Sequence, residues 1–253
     1  MVSTPLALET QYPDSDGQLM ADNTEQYQWI VRLVENLKAL LQDQIAFVAG
    51  DLLWYPQQVL KGEKAPRQAT DAMVVLGRPD GYRGSYKQWE EEDIAPQVVF
   101  EILSPSNTLA EMTQKQQFYQ QHGAQEIYFY DPQAQNFWGL VRAGDRWNFI
   151  NKPSLPWVSP TLGIRFELFE AGLEVFYPDG TPFKTFTELT QERDQLASDR
   201  QQLQTQLNQV SEERDSAQTQ LSQTQTERDA AQAKLAQALA KLKAAGIDVD
   251  ELG

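Results

Sequence analysis

The chain has 253 residues, of which 36 are acidic and 21 basic, and its net charge of −15 argues against a broad nonspecific nucleic-acid surface, because phosphate binding depends on Lys and Arg. The absence of cysteine excludes disulfides and thiolate metal sites, and the single histidine, His122, excludes a histidine-rich zinc site. A bound metal would therefore be a hard cation held by oxygen atoms, such as Mg²⁺, Ca²⁺ or Mn²⁺.

The first predicted helix runs from Thr24 to Gln42 and carries a broad apolar face. Four segments then have the apolar, β-branched composition of strands: IAFVAGDLLWYP, ATDAMVVLG, PQVVFEILS and EIYFYDP. A helix within NTLAEMTQKQQFYQQHG separates the last two, with a capping-box signature from Thr108 to Glu111 and a stop at Gly123. This strand, helix and strand form a βαβ unit, so its two strands are expected to be parallel.

Three further segments complete the globular part of the chain. GYRGSYKQWEEED, from Gly81 to Asp93, is predicted as a polar loop between two strands. NFWGLVRAGDRWNFI and LGIRFELFEAGLEVFYPDG are predicted as hairpins and closing strands. Together the elements predict an α/β domain.

The region from about Thr187 to Lys243 has no Gly, Pro or aromatic residue and repeats with a period of seven. One seam position holds mostly apolar residues, beginning with Leu189 and Leu196, and the other holds four arginines and four leucines. This pattern predicts a coiled coil and self-association, with the arginines weakening the pair but able to fix its register. The residues that precede three of these arginines, at positions from which a partner chain's arginine could be reached, are Glu192, Glu213 and Glu227. The alternative is a long solvated helix that pairs only in part.

These differences in composition predict a globular domain at residues 1–186, a coiled-coil helix at 187–245 and a C-terminal tail at 246–253.

Two acidic residues interrupt apolar strands of the globular domain. Asp71 lies in ATDAMVVL and Glu101 lies in VVFEILS, where an unpaired carboxylate is costly. If the two strands are neighbours, these carboxylates can lie side by side, and a cation between them would relieve their repulsion. A divalent metal is expected there, with Asp71, Glu101 and the main-chain carbonyl of Ile102 as oxygen ligands.

Lys115 is the third candidate site residue. It lies three residues after Met112 and four before Tyr119, so it shares the helix face that should pack on the sheet. A lysine aimed at two acids could fix a water on the metal or stabilise charge on a phosphate. The alternative is a surface ion pair with Glu111 on the same helix, which would contribute only a few tenths of a kcal/mol, about 0.3.

These residues, in this order, resemble the PD-(D/E)xK nuclease superfamily. The globular part is similar to a cyanobacteria-rich family of restriction-endonuclease-like proteins, formerly a domain of unknown function. The matching segments are YPDSDGQLMADNTEQYQWIV, FVAGDLLWYP, QATDAMVV, PQVVFEILSPSN, KQQFYQQHGAQEIYFYDP and LGIRFEL. The resemblance implies a restriction endonuclease-like core, in which a mixed central sheet is flanked by helices. It also implies Asp71 and Glu101 as the two catalytic acids and Lys115 as the catalytic lysine, moved from the strand to the following helix.

The chain departs from the usual motif at three positions. Leu103 stands where the lysine usually lies, and Thr70 stands where a proline usually precedes the aspartate. An early acid that is common in relatives is replaced by Gln18. Glu25 and Asp51 are possible substitutes for that acid, although both are also ordinary candidates for surface or turn residues.

The favoured function is a Mg²⁺- or Mn²⁺-dependent endonuclease that hydrolyses DNA and pairs through its coiled coil. One alternative is a catalytically inactive nuclease-fold scaffold or protein-interaction module, which the acidic charge favours. Another is an unrelated carboxylate hydrolase, since two acids and a lysine are a generic set. The expected partners are DNA and a second copy of the chain, without a small-molecule cofactor.

No apolar run is long enough to cross a bilayer, so no membrane partner is expected. The N-terminus, MVSTPLALETQYPDSDG, lacks the basic start and apolar core of a signal peptide. We therefore expect a cytoplasmic protein.

Overall fold

The computed structural model describes residues 11–15, 17 and 21–245, and their contacts divide the chain into two units between Glu188 and Leu189. Within these described residues, the first unit contains two α-helices and ten strands. In chain order these are α1 (Thr24–Leu40), β1 (Ala46–Tyr55), β2 (Gln68–Leu76), β3 (Tyr86–Lys87), β4 (Val98–Ile102), α2 (Leu109–His122), β5 (Glu126–Asp131), β6 (Asn136–Ala143), β7 (Arg146–Ile150), β8 (Trp157–Val158), β9 (Arg165–Phe169) and β10 (Gly172–Phe176). Among the described residues, the second unit is formed by a long helix, α3 (Phe186–Ala244).

The central sheet has seven strands in the order β3-β1-β2-β4-β5-β6-β7. The pairs β1–β3 and β4–β5 are parallel, and the other four pairs are antiparallel. The βαβ unit predicted from the sequence is therefore confirmed, with α2 connecting the parallel strands β4 and β5. A second, antiparallel sheet has the order β10-β9-β8.

Helices cover both faces of the central sheet. Alternate side chains of each strand point to opposite faces, so each face contributes to a separate core. On one face, the apolar stripe of α1 packs with Val74 and Phe100, and residues of the small sheet join the same core. On the other face, Met112 and Tyr119 of α2 pack against Met73 and Val99. The mixed sheet flanked by helices, followed by a long C-terminal helix, confirms the predicted fold class.

The segment from Gly81 to Asp93 is more ordered than the polar loop predicted from its sequence. Tyr86 and Lys87 form β3, and a short 3₁₀ helix follows at Gln88–Glu90. The Tyr86 side chain is fully buried, stacks on Phe47 and donates a hydrogen bond of 2.6 Å to the carbonyl of Ile94. One buried aromatic side chain therefore anchors a segment whose other residues are mostly polar.

α3 extends for 59 residues, or about 90 Å at 1.5 Å per residue, and none of its residues is buried. It begins after Thr185, whose hydroxyl accepts a hydrogen bond from the Glu188 N–H while the Glu188 carboxylate accepts from the Thr185 N–H. This reciprocal arrangement is a capping box, which fixes the start of the helix. None of the helices described here combines the length and apolar character needed to cross a membrane.

Candidate active site

Asp71 and Glu101 face one another across neighbouring strands. β2 and β4 are antiparallel, with Ala72 opposite Phe100, and the same register places Asp71 opposite Glu101. Directly opposed residues share one face of a sheet, so both carboxylates lie on the face that α2 covers. The two residues are only 9% and 2% exposed. The pairing that was expected from the strand pattern is therefore present in the fold.

α2 supplies the groups that neutralise Glu101. Lys115 Nζ lies 2.6 Å from Glu101 Oε2, and the Tyr119 hydroxyl donates a hydrogen bond to Glu101 Oε1. Both donors also lie 3.3 Å from the carbonyl oxygen of Ala69 on β2. Lys115 and Tyr119 are four residues apart, so one helix face presents both of them to the sheet. The buried carboxylate thus has an ion-pair partner and a neutral donor.

The position of α2 follows from its sequence. Thr108 and Glu111 form a capping box that fixes the first turn, and Gly123 ends the helix with a φ of +107°, which favours glycine. The Glu111 carboxylate accepts hydrogen bonds from the Thr108 N–H and hydroxyl. Glu111 is therefore the capping residue, while Lys115 points to the sheet and pairs with Glu101 rather than forming the alternative surface pair.

Burial and neighbouring charges raise the pKa values of three groups at this site. Burial and the nearby Glu101 raise the pKa of Asp71 to about 7, although Lys115 and a hydrogen bond from the Ile102 N–H oppose this. That hydrogen bond is 2.7 Å long and ends on Asp71 Oδ2. Burial alone would lower the pKa of Lys115, but the charges of Glu101 and Asp71 raise it above its ordinary value. Burial and Glu101 raise the pKa of Tyr119, which keeps its hydroxyl protonated as a donor.

Gln26 is a site residue that the sequence reasoning missed. This buried side chain of α1 donates a hydrogen bond of 2.8 Å from Nε2 to the carbonyl of Ile102, and its hydrogen bonding also opposes the rise in the pKa of Asp71. Its Oε1 accepts a hydrogen bond of 2.8 Å from the Asp22 N–H. The available signal was spacing, because Gln26 lies four residues before Ile30 on the buried face of α1.

The three additional candidates from the sequence have different positions. Glu25 is exposed, because it lies one residue away from the inward-facing Gln26 on α1. Asp51 is half-buried on β1, between residues that pair with Ala72 and Thr70, and its charge contributes to the raised pKa of Lys115. Gln18 lies outside the described residues. Asp51 therefore lies near the pair of acids, but its left-handed φ of +48° interrupts the regular pairing of β1 with β2.

The oxygen donors at this site fit a hard divalent cation. Among residues 11–15, 17 and 21–245, no group of three or more His, Cys, Asp or Glu side chains is close enough to hold a metal. The candidate ligands are two neighbouring carboxylates, Asp71 and Glu101, and the main-chain carbonyl of Ile102, which accepts from the Gln26 side chain that also hydrogen-bonds Asp71. Oxygen-only sets of this kind suit Mg²⁺ or Mn²⁺, which retain several waters.

The mixed central sheet flanked by helices agrees with the restriction endonuclease-like fold. The model of the Uma2 family, whose description is "Putative restriction endonuclease", matches residues 6–179, and the chain belongs to this family. The chain is also similar to a solved structure from Anabaena variabilis ATCC 29413, titled as "a putative nuclease belonging to DUF820". The identity is 16% and the TM-score 0.42, over 56% of this chain and 75% of that one. No curated protein matches the sequence.

Proposed function

We propose that this protein is a metal-dependent endonuclease that hydrolyses phosphodiester bonds in DNA. The observation that supports this function best is the pairing of Asp71 with Glu101 on the sheet face where Lys115 enters from α2. Membership of a restriction endonuclease family makes nucleic acid the expected substrate. The unrelated carboxylate hydrolase, which the three residues alone left open, is therefore the weaker reading.

The proposed ligands of Mg²⁺ or Mn²⁺ are the carboxylates of Asp71 and Glu101 and the carbonyl oxygen of Ile102. When bound, the cation supplies a Lewis acid that activates water and neutralises charge on the scissile phosphate. The carbonyl of Ile102 has a second lone pair beside the one that accepts from Gln26, so both interactions can coexist. Each carboxylate also retains acceptor capacity beyond its present hydrogen bonds.

The residues of the chain then have separate roles. Asp71 accepts a hydrogen bond from the Ile102 N–H, and Gln26 donates one to the carbonyl of the same residue, so both main-chain polar groups of Ile102 are held. Lys115 forms an ion pair with Glu101 and can transfer its contact to a phosphate oxygen when substrate enters. Tyr119 remains protonated and orients the Glu101 carboxylate through its hydrogen bond to Oε1.

The proposal includes self-association through α3. Its two seam positions expose a row of apolar side chains to solvent, with Leu196, Leu203 and Leu207 each more than 60% exposed. A 59-residue helix with no buried residue gains packing when a second helix covers that row. Two catalytic domains in one assembly would provide the two cuts that a duplex requires.

Metal binding tests the site directly. Mn²⁺ titrated into wild-type protein in a calorimeter should give a saturable, weak binding isotherm in the millimolar range. Asp71→Ala should abolish the isotherm. Glu25→Ala, which removes an exposed acid next to Gln26 in the sequence, should leave the isotherm unchanged. Equal binding by wild type and Asp71→Ala would show that the ion is held elsewhere.

A nuclease-fold scaffold without catalysis is the second candidate. Both oxygens of Glu101 are already engaged by Lys115 and Tyr119, and the chain's net charge of −15 disfavours a polyanion. The function would then depend on α3 and its partner. Folded protein that binds no Mn²⁺ or Mg²⁺ at 10 mM, a concentration roughly tenfold above a weak site's Kd, would favour the scaffold over the nuclease.

A further inference from the structure

Arginine and leucine share one set of equivalent heptad positions in α3. Which of the two is present correlates with the residue that precedes it. In standard heptad letters, position d is the series that starts at Leu189, position a is the series that starts at Arg193, and position g immediately precedes a. The eight a residues are Arg193, Arg200, Leu207, Arg214, Leu221, Arg228, Leu235 and Leu242. The eight g residues, in the same order, are Glu192, Asp199, Gln206, Glu213, Gln220, Glu227, Lys234 and Lys241.

Each of the four arginines at position a follows an acidic residue at position g, and none of the four leucines does. The a and g side chains of one helix are adjacent in sequence and diverge around it, so this coincidence has little use within a single chain. Between chains it has a direct use, since residues at g can pair with charges on the facing helix. The pattern therefore bears on how a second copy packs against α3.

The orientation of the partner decides which residues flank position a. In a parallel pair, a side chain at a packs beside the partner's preceding g residue, whereas in an antiparallel pair it packs beside the partner's e residue. The e residues of α3 are Thr190, Ala197, Gln204, Ser211, Gln218, Gln225, Gln232 and Leu239, and none of them is charged. Only a parallel pair gives every a-position arginine an acidic neighbour from the other chain.

The same residues specify the register. With equal residue numbers opposite each other, the a layers contain either two arginines or two leucines. A shift of one heptad would place Arg200 opposite Leu207 and Arg214 opposite Leu221, and would move most arginines beside Gln or Lys. Mixed layers bury part of an unpaired charge, which is costly.

The contacts of the single chain leave these arginines available. Arg193, Arg214 and Arg228 pair with the aspartate that follows each of them, at 2.7–2.8 Å, and both side chains in each pair are about two-thirds exposed. Exposed ion pairs between adjacent residues contribute little. The arginine stems can therefore lie along the apolar seam while their guanidinium groups reach the partner's acids.

We propose that α3 forms a parallel, in-register, two-stranded coiled coil with a second copy of this chain, in which each a-position arginine pairs with the preceding g-position acid of its partner. This inference deepens the self-association part of the proposed function and is independent of the catalytic residues. Both helices then begin at the same end of the coil.

Disulfide trapping tests the orientation, because the natural chain has no cysteine. Leu196→Cys and Ala231→Cys each place one thiol at position d in the full-length protein. Equilibration of each variant in a glutathione redox buffer should give a disulfide-linked homodimer at both positions. An antiparallel pair cannot bring both positions to their own copies, so a dimer in which either variant fails to form its own disulfide would overturn the proposal.

Charge exchange tests the pairing. Glu213→Lys should weaken the dimer Kd by roughly tenfold in sedimentation equilibrium, because a symmetric pair contains the interaction twice. Glu212→Lys, which makes the same charge change at an outward position, is the matched control and should leave the Kd unchanged. Adding Arg214→Glu to Glu213→Lys should restore the wild-type Kd. Failure of this rescue, or equal effects of the two single lysine variants, would refute the pairing.

The oligomeric state separates failure of this inference from failure of self-association. A wild-type chain that stays monomeric at 100 µM, which is roughly tenfold above a Kd of about 10 µM, would overturn both. A dimer in which either thiol fails to trap against its own copy would overturn the parallel, in-register arrangement and leave self-association intact. DNA cleavage depends on other residues, so its presence or absence would alter neither conclusion.

Discussion

Replacement of Asp71 by Asn should stabilise the metal-free protein at pH 8. Burial and Glu101 raise the pKa of Asp71 from 3.8 to about 7. Between these pH values the unfolded chain has released the proton that the folded protein keeps, so this group lowers the free energy of unfolding as the pH rises. The difference amounts to at most about 4 kcal/mol at pH 8. The amide of Asn can still accept from the Ile102 N–H and donate to Glu101, so we expect a gain of about 2–4 kcal/mol.

The assay is urea denaturation of wild type and Asp71→Asn in EDTA at several pH values from 5 to 8. The stability gap between them should widen as the pH rises and level off above about pH 7, where Asp71 is ionised in both states of the wild type. Asp43→Asn, which changes an exposed acid outside the site, is the control and should show no such gap. Addition of Mg²⁺ or Mn²⁺ should narrow the gap, because only the wild type retains both carboxylate ligands.

A result in the opposite direction would refute this reasoning. If Asp71→Asn is less stable than wild type at pH 8 without metal, the surrounding protein groups already stabilise the ionised Asp71 carboxylate, and a bound cation is not required to do so. A gap that does not change between pH 5 and pH 8 would show that the effect of the substitution has another cause, such as altered packing.

Three further substitutions follow from the same contacts. Lys115→Met leaves Glu101 buried without its ion-pair partner and should lower the free energy of unfolding by about 3 kcal/mol in urea denaturation at pH 8; an unchanged stability would contradict the pairing. Tyr119→Phe removes the donor to Glu101 Oε1 and should cost about 1–3 kcal/mol, which a thermal melt would detect; a melting temperature equal to that of wild type would argue against this bond. Thr70→Val replaces a buried hydroxyl that has no hydrogen-bond partner and should stabilise the protein by about 1 kcal/mol; destabilisation would indicate that the hydroxyl is hydrogen-bonded in solution.

The sequence predicts the main elements well, since the hydrophobic periods and capping signals are local. The helix that carries Lys115 begins and ends where the capping box and Gly123 place it. The segment around Tyr86 was harder, because a two-residue strand depends on one buried aromatic ring and on the neighbouring β1. Such a contact is tertiary and has no periodic pattern to reveal it.

The site shows the same limit. Strand alternation indicates that Asp71 and Glu101 could share a face, but their register comes from the pairing of β2 and β4. Gln26 was missed because a polar residue on the buried face of a helix resembles an ordinary interruption of an apolar stripe. Burial of an acid is also ambiguous, because Glu126 on β5 is as buried as Glu101 yet is satisfied by the hydroxyls of Tyr128 and Ser159 and the N–H of Thr161.

The most direct test of the central claim is metal-dependent cleavage of DNA. Purified wild-type protein is incubated with supercoiled plasmid, linear duplex and single-stranded DNA, in EDTA and in 5 mM Mg²⁺ or Mn²⁺, a level chosen to be near the roughly millimolar Kd of a weak site. Glu101→Gln removes the charge of the proposed ligand, and Glu111→Gln, which keeps the capping box, is the control. We expect cleavage only with metal, a loss of at least about 100-fold in Glu101→Gln, and unchanged activity in Glu111→Gln. Cleavage by Glu101→Gln at the wild-type rate, or no cleavage by wild-type protein that binds the metal, would contradict the account.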